Sequence, residues 1–96
     1  MSPKNKKKLN LIRIKLDKLD NKLLNLIKYR TFLVKEVLKL KELKKEIVDK
    51  KRISTILKNI KRKSIKHKID PKITNRIWKN MISSYIDFER RNFKKK

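Results

Sequence analysis

Four cations and one carboxylate sit where the pattern of this 96-residue chain asks for apolar or uncommitted side chains. Stepping three and four residues from Leu9 gives Ile12, Leu16, Leu19, Leu23, Leu26, Arg30, Leu33, Val37 and Leu40. Nine of these ten positions are aliphatic, and Arg30 carries a permanent charge. A guanidinium there can snorkel out along the helix or pair with an acid. It can also serve a ligand. Lys41 follows eleven residues on, nearly in register and about 16 Å along a helix, so the two cations can converge on an anion held between them. Arg13 is about 25 Å from Arg30 along the same helix, so a small ligand touching both needs Arg13 from a second chain. Arg52 falls in the first turn of another helix, where backbone N–H groups also favour an anion.

Glu89 completes the set, following Trp78, Ile82 and Tyr85 on one stripe. It can lie at the rim of the apolar surface. If buried, it loses hydration, which favours the protonated acid and hence a hydrogen-bond donor. Several cations with one acid, and no nucleophile, metal cluster or obvious base, are a poor kit for hydrolysis. They suit a small dianion clamped in one shape, with a donor aimed at an oxygen that gains charge.

Composition narrows the alternatives. The chain has no glycine, which removes glycine-loop phosphate cradles, and no cysteine, which removes disulfides and thiolate metal sites. His67 is the only histidine. The start "MSPKNKKK" leads into an amphipathic segment, so neither a signal peptide nor a membrane span is expected, and a soluble cytoplasmic protein is the default. A net charge of +23 makes nucleic acid the first suspect. The 25 lysines and seven arginines are nevertheless scattered with only short end clusters, so a solvated coat is expected and nucleic acid is not expected as the partner. Trp78 and Tyr85, at helical spacing beside Met81 and Ile82, read as core rather than as stacking platforms.

The elements that must position these residues are helices. The unbroken seam from Leu9 to Leu40 predicts one helix of roughly 35–40 residues, about 55 Å long. That overshoots a compact chain of this size and asks for a second copy, most simply an intertwined two-fold dimer. Asp49 caps a second helix with Ile53, Ile56, Leu57 and Ile60 on its apolar face. "KRKSIKHK" breaks the period and reads as a frayed end plus loop. Asp70 and Pro71 start a third helix, with Ile73, Ile77, Met81 and Phe88 on one stripe. The fold class is all-α, one long and two shorter helices. A basic tail is expected over 1–8, the helical domain over 9–91 and a mobile basic tail over 92–96.

"IRIKLDKLDNKLLNLIKYRTFLVKEVLKLK" followed by "IVDKKR" resembles the all-α chorismate mutase family, through Arg13, Asp17, Asp20, Leu23, Leu24, Arg30, Lys41, Asp49 and Arg52. "IDPKITNRIWKNMISSYIDFE" is similar to that family's third helix, so the likeness covers residues 9–89. The resemblance implies an intertwined helical homodimer with two shared sites, each taking Arg13 from one protomer. It implies the cofactor-free rearrangement of chorismate to prephenate, a shikimate-pathway step in aromatic amino-acid biosynthesis. Arg30 and Arg13 would each hold a substrate carboxylate. Lys41 would reach the ether oxygen, and protonated Glu89 would donate to it. Asp49 and Arg52 would position the substrate at the head of the second helix. One departure stands out: Ile53 follows Arg52 where the mutases usually have Glu. Ile53 and Tyr85 look more like the isochorismate-pyruvate lyase branch, which makes salicylate, whereas Glu89 is more at home in a mutase.

Overall fold

The computed structural model describes residues 1–94, and every regular element in that span is a helix. Helix α1 runs Pro3–Leu40, α2 runs Lys50–Lys66 and α3 runs Pro71–Asn92, with one 3-10 turn at Lys44–Ile47 between α1 and α2. The chain divides into two compact units, Met1–Leu33 and Val34–Lys96.

The first unit is helical throughout from Pro3. Ser2 starts it: its Oγ accepts from the Asn5 N–H at 3.2 Å, and Pro3 stands at the first helical position. Residues 3–8 are therefore helical, ahead of the first seam residue, Leu9. At 38 residues α1 is about 57 Å long, and it has no buried residue. Its seam lies open: Ile12, Leu16, Leu19 and Leu23 are each about half exposed.

In the second unit α2 packs on α3, and the 3-10 turn packs on α3 as well. Ile47, in that turn, is the one buried hydrophobic residue among the described residues. Asp49 caps α2 as expected, its Oδ1 accepting from the Arg52 N–H at 3.0 Å. Asp70 caps α3, accepting from the Lys72 N–H at 2.9 Å, with Pro71 behind it.

One expectation is corrected and another is sharpened. First, "KRKSIK" is not frayed: α2 continues to Lys66. Ser64 takes the place of an aliphatic residue on the inner stripe. It is buried, and its Oγ lies 2.7 Å from Thr74 Oγ1 on α3 and 2.6 Å from the Ile60 carbonyl oxygen. A satisfied hydroxyl pair can occupy a core position that the apolar period leaves blank. The helix then ends in a Schellman motif, with Ile69 N–H donating to Ser64 O and Lys68 N–H to Ile65 O. Lacking glycine, the chain puts Lys68 itself at φ 58°.

Second, of the two stripes expected on α3, the one through Trp78, Ile82, Tyr85 and Glu89 is turned inward, whereas Ile73 and Ile77 of the other are about half exposed. Thr74 and Glu89 are buried, and Trp78, Met81, Ile82 and Tyr85 are half-buried along the same side. The basic end is helical through Asn92, and Lys95 and Lys96 lie outside the described residues. No described helix is long and apolar enough to cross a membrane.

Candidate active site

The fold builds one charged contact from distant parts of the chain. Lys41 lies one residue past the end of α1, and Glu89 at the start of the last turn of α3. Lys41 Nζ donates to Glu89 Oε1 at 2.9 Å, with side-chain exposures of 19% and 8%. Glu89 is thus buried and Lys41 half-buried, and a lone carboxylate in that place would be costly. Two further ion pairs, Lys39–Glu36 and Arg91–Asp87, are solvent-exposed. Glu89 was expected either at the rim or buried as a neutral donor. It is buried, and its Oε1 accepts from an ammonium.

Lys41 also lines an open depression of about 620 Å³, together with Glu46, Val48, Asp49 and Lys50. The 3-10 turn forms one wall. Glu46 holds that turn by accepting the Leu43 N–H on its Oε1 at 2.9 Å. Sequence reasoning passed over Glu46, although a carboxylate three residues after the start of a turn is the spacing of a capping box. Asp49 has two tasks here: it caps α2 and faces the same depression as Lys41.

Arg52 is exposed in the first turn of α2, and its backbone N–H is already taken by Asp49. Ile53 is half-buried beside it. Tyr85 is half-buried on α3, one turn before Glu89, its ring edge-on to Phe88 with centroids 6.4 Å apart. Arg13 and Arg30 belong to the first unit. Arg30 is half-buried near the end of that unit, and Arg13 is exposed on α1.

The arrangement in the second unit can do one thing well. It presents an ammonium, held in place by a buried carboxylate, to a depression reached from solvent. Lys41 has three N–H donors and spends one on Glu89, so others are available to an anion.

Among the described residues these helices and this part-buried pair define a small all-α protein organised around one charged contact. The chorismate mutase type II profile matches residues 12–90, more than half of the chain, and the chain belongs to that family. No curated protein and no solved structure matches it.

Proposed function

We propose that this protein is a chorismate mutase, converting chorismate to prephenate. The observation that carries the reading is the part-buried Lys41–Glu89 pair beside an open depression, within a chain of the type II family. The rearrangement is unimolecular and pericyclic, so it needs no cofactor and no covalent intermediate. The protein lowers the barrier by selecting the diaxial chair-like conformer and by holding charge as the C–O bond breaks.

In this reading Lys41 donates to the ether oxygen that becomes negative, which is where a fixed ammonium does most. Glu89 holds Lys41 in place while the site is empty. In its protonated form it would donate to the same oxygen. Arg30 pairs with one substrate carboxylate, and Arg13, supplied by a second copy, pairs with the other. Asp49 and Arg52 orient the substrate at the head of α2, and Tyr85 packs against it from α3.

The open face of α1 supports a homodimer that would supply Arg13 in this way. Leu11, Ile12, Leu16, Leu19, Leu23 and Leu26 are 48–64% exposed on α1, a long apolar face that a second copy would cover. Isochorismate-pyruvate lyase activity is the second reading. It is favoured by Ile53 after Arg52, where a carboxylate that could engage the substrate hydroxyl is missing.

The test is the appearance of prephenate when purified protein meets chorismate. Lys41→Gln combined with Glu89→Gln replaces the ion pair by neutral groups of similar size. Loss of turnover with helicity retained is the expected result. Wild-type turnover in that double variant would remove the pair from the reaction.

A further inference from the structure

Between Asp49 and Asp70 the chain has no carboxylate, yet it carries Lys50, Lys51, Arg52, Lys58, Lys61, Arg62, Lys63, Lys66 and Lys68. Along the sequence this looks like part of an even scatter. The fold sorts it. The aliphatic residues of α2, Ile53, Ile56, Leu57 and Ile60, are half-buried while α2 packs on α3, and all eight cations of α2 are exposed. At 100° per residue, Lys50, Lys51, Lys58, Lys61, Arg62 and Lys66 fall within about 160° of arc, opposite the packed stripe. They extend about 24 Å along the helix.

Two shallow grooves flank the centre of this face. One, of about 360 Å³, is lined by Leu57, Lys58, Lys61, Pro71, Lys72 and Asn75, so α3 contributes a further lysine across it. The other, of about 330 Å³, is lined by Lys58, Lys61, Arg62 and Ile65. Lys58 and Lys61 thus form a ridge between two grooves. None of Lys58, Lys61, Lys66 and Lys72 forms an ion pair with a described residue. Residues three and four apart on a helix have Cβ atoms about 5–6 Å apart, inside a Debye length of about 8 Å at physiological salt. Lys58, Lys61 and Arg62 therefore repel one another unless an external anion is shared among them.

We infer that the outer face of α2, with Lys72 of α3, binds the phosphate backbone of nucleic acid without reading its sequence. A row of like charges along a rigid helix matches a ligand whose own charges repeat along a line, and binding is driven by release of that ligand's counterions. A membrane surface fits less well. An interfacial helix needs an exposed apolar stripe opposite its charges, and the stripe of α2 is turned to α3, leaving only Ile65 open on the cationic side. Lys50, at the near end of this face, also lines the candidate active-site depression. Lys58, Lys61, Arg62, Lys66 and Lys72 have no part in it, so the inference is tested on residues outside the mutase reading.

The experiment is fluorescence anisotropy of the full chain with a labelled DNA duplex of about 20 base pairs, titrated from about 50 to 200 mM salt. Five or six phosphate contacts predict a slope of log K against log salt near −5, an affinity loss of about 10³ over that range. Lys58→Gln, Lys61→Gln and Arg62→Gln together should flatten the slope by about three and weaken binding at least about 10-fold at low salt. The control removes the same charge elsewhere, through Lys6→Gln, Lys7→Gln and Lys8→Gln. If both triple variants lose affinity equally, binding reports net charge alone and the assigned face is wrong. Absence of duplex binding at low salt, or binding to vesicles of anionic lipid in preference to duplex, overturns it as well. Chorismate turnover in the same samples keeps this outcome separate from the enzymatic one.

Discussion

Replacing Arg30 with alanine asks whether the charge in the α1 seam serves a ligand. Turnover should fall about 100-fold or more while helicity by circular dichroism is unchanged, since the group would act on charge in the bound substrate. A variant with wild-type turnover would contradict its role. At the part-buried pair, Lys41→Met alone strands the Glu89 carboxylate below the surface, an expected loss of about 3–5 kcal/mol in denaturant unfolding. Lys41→Met with Glu89→Gln should recover most of that, and simple additivity of the two single changes would deny the coupling. Glu89→Gln alone supplies an N–H donor that needs no proton. Turnover should therefore be retained in that variant, and its loss would deny that donation from residue 89 is enough. At this scale the sequence marked Arg30, Lys41 and Glu89 as charges out of place. It could not show that Lys41 and Glu89 meet, because 48 residues separate them and only the packing of α3 closes that distance.

The helices were legible wherever a local rule speaks. The seam of α1 and the Asp49 and Asp70 caps each follow from a period or a cap within a few residues. The rules failed where a side chain's place depends on its neighbour across the fold. Ser64 belongs to the inner stripe of α2 only because Thr74 meets it, and Ile73 is half exposed because Thr74 is turned inward instead. Ser64→Ala should cost about 1–3 kcal/mol in unfolding, since it leaves the Thr74 hydroxyl with a weaker set of partners. Adding Thr74→Val should cost less than the sum of the two. At the end of α2, Lys68 holds a left-handed conformation that glycine adopts without a Cβ clash. Lys68→Gly should raise stability by about 1 kcal/mol, a rare gain from adding glycine; no gain in the unfolding midpoint would contradict that account of the cap.

At the scale of the whole molecule, two properties pull against each other. The apolar face of α1 is open in the single chain and favours association, while a net charge of +23 on each copy opposes it. Salt screens the second and leaves the first, so association of two copies should strengthen with ionic strength. In analytical ultracentrifugation a dimer should dissociate on dilution at low salt, and chorismate turnover should be lost with it, because Arg13 is then missing from each site. A fully active monomer would contradict the shared site.

The most direct measurement is product identification, by chromatography, after purified protein is mixed separately with chorismate and with isochorismate. The account predicts prephenate from chorismate as the faster product, with Ile53 a tolerated substitution. Salicylate and pyruvate from isochorismate as the faster products, with little prephenate, would contradict it and assign the same cations to a different bond cleavage.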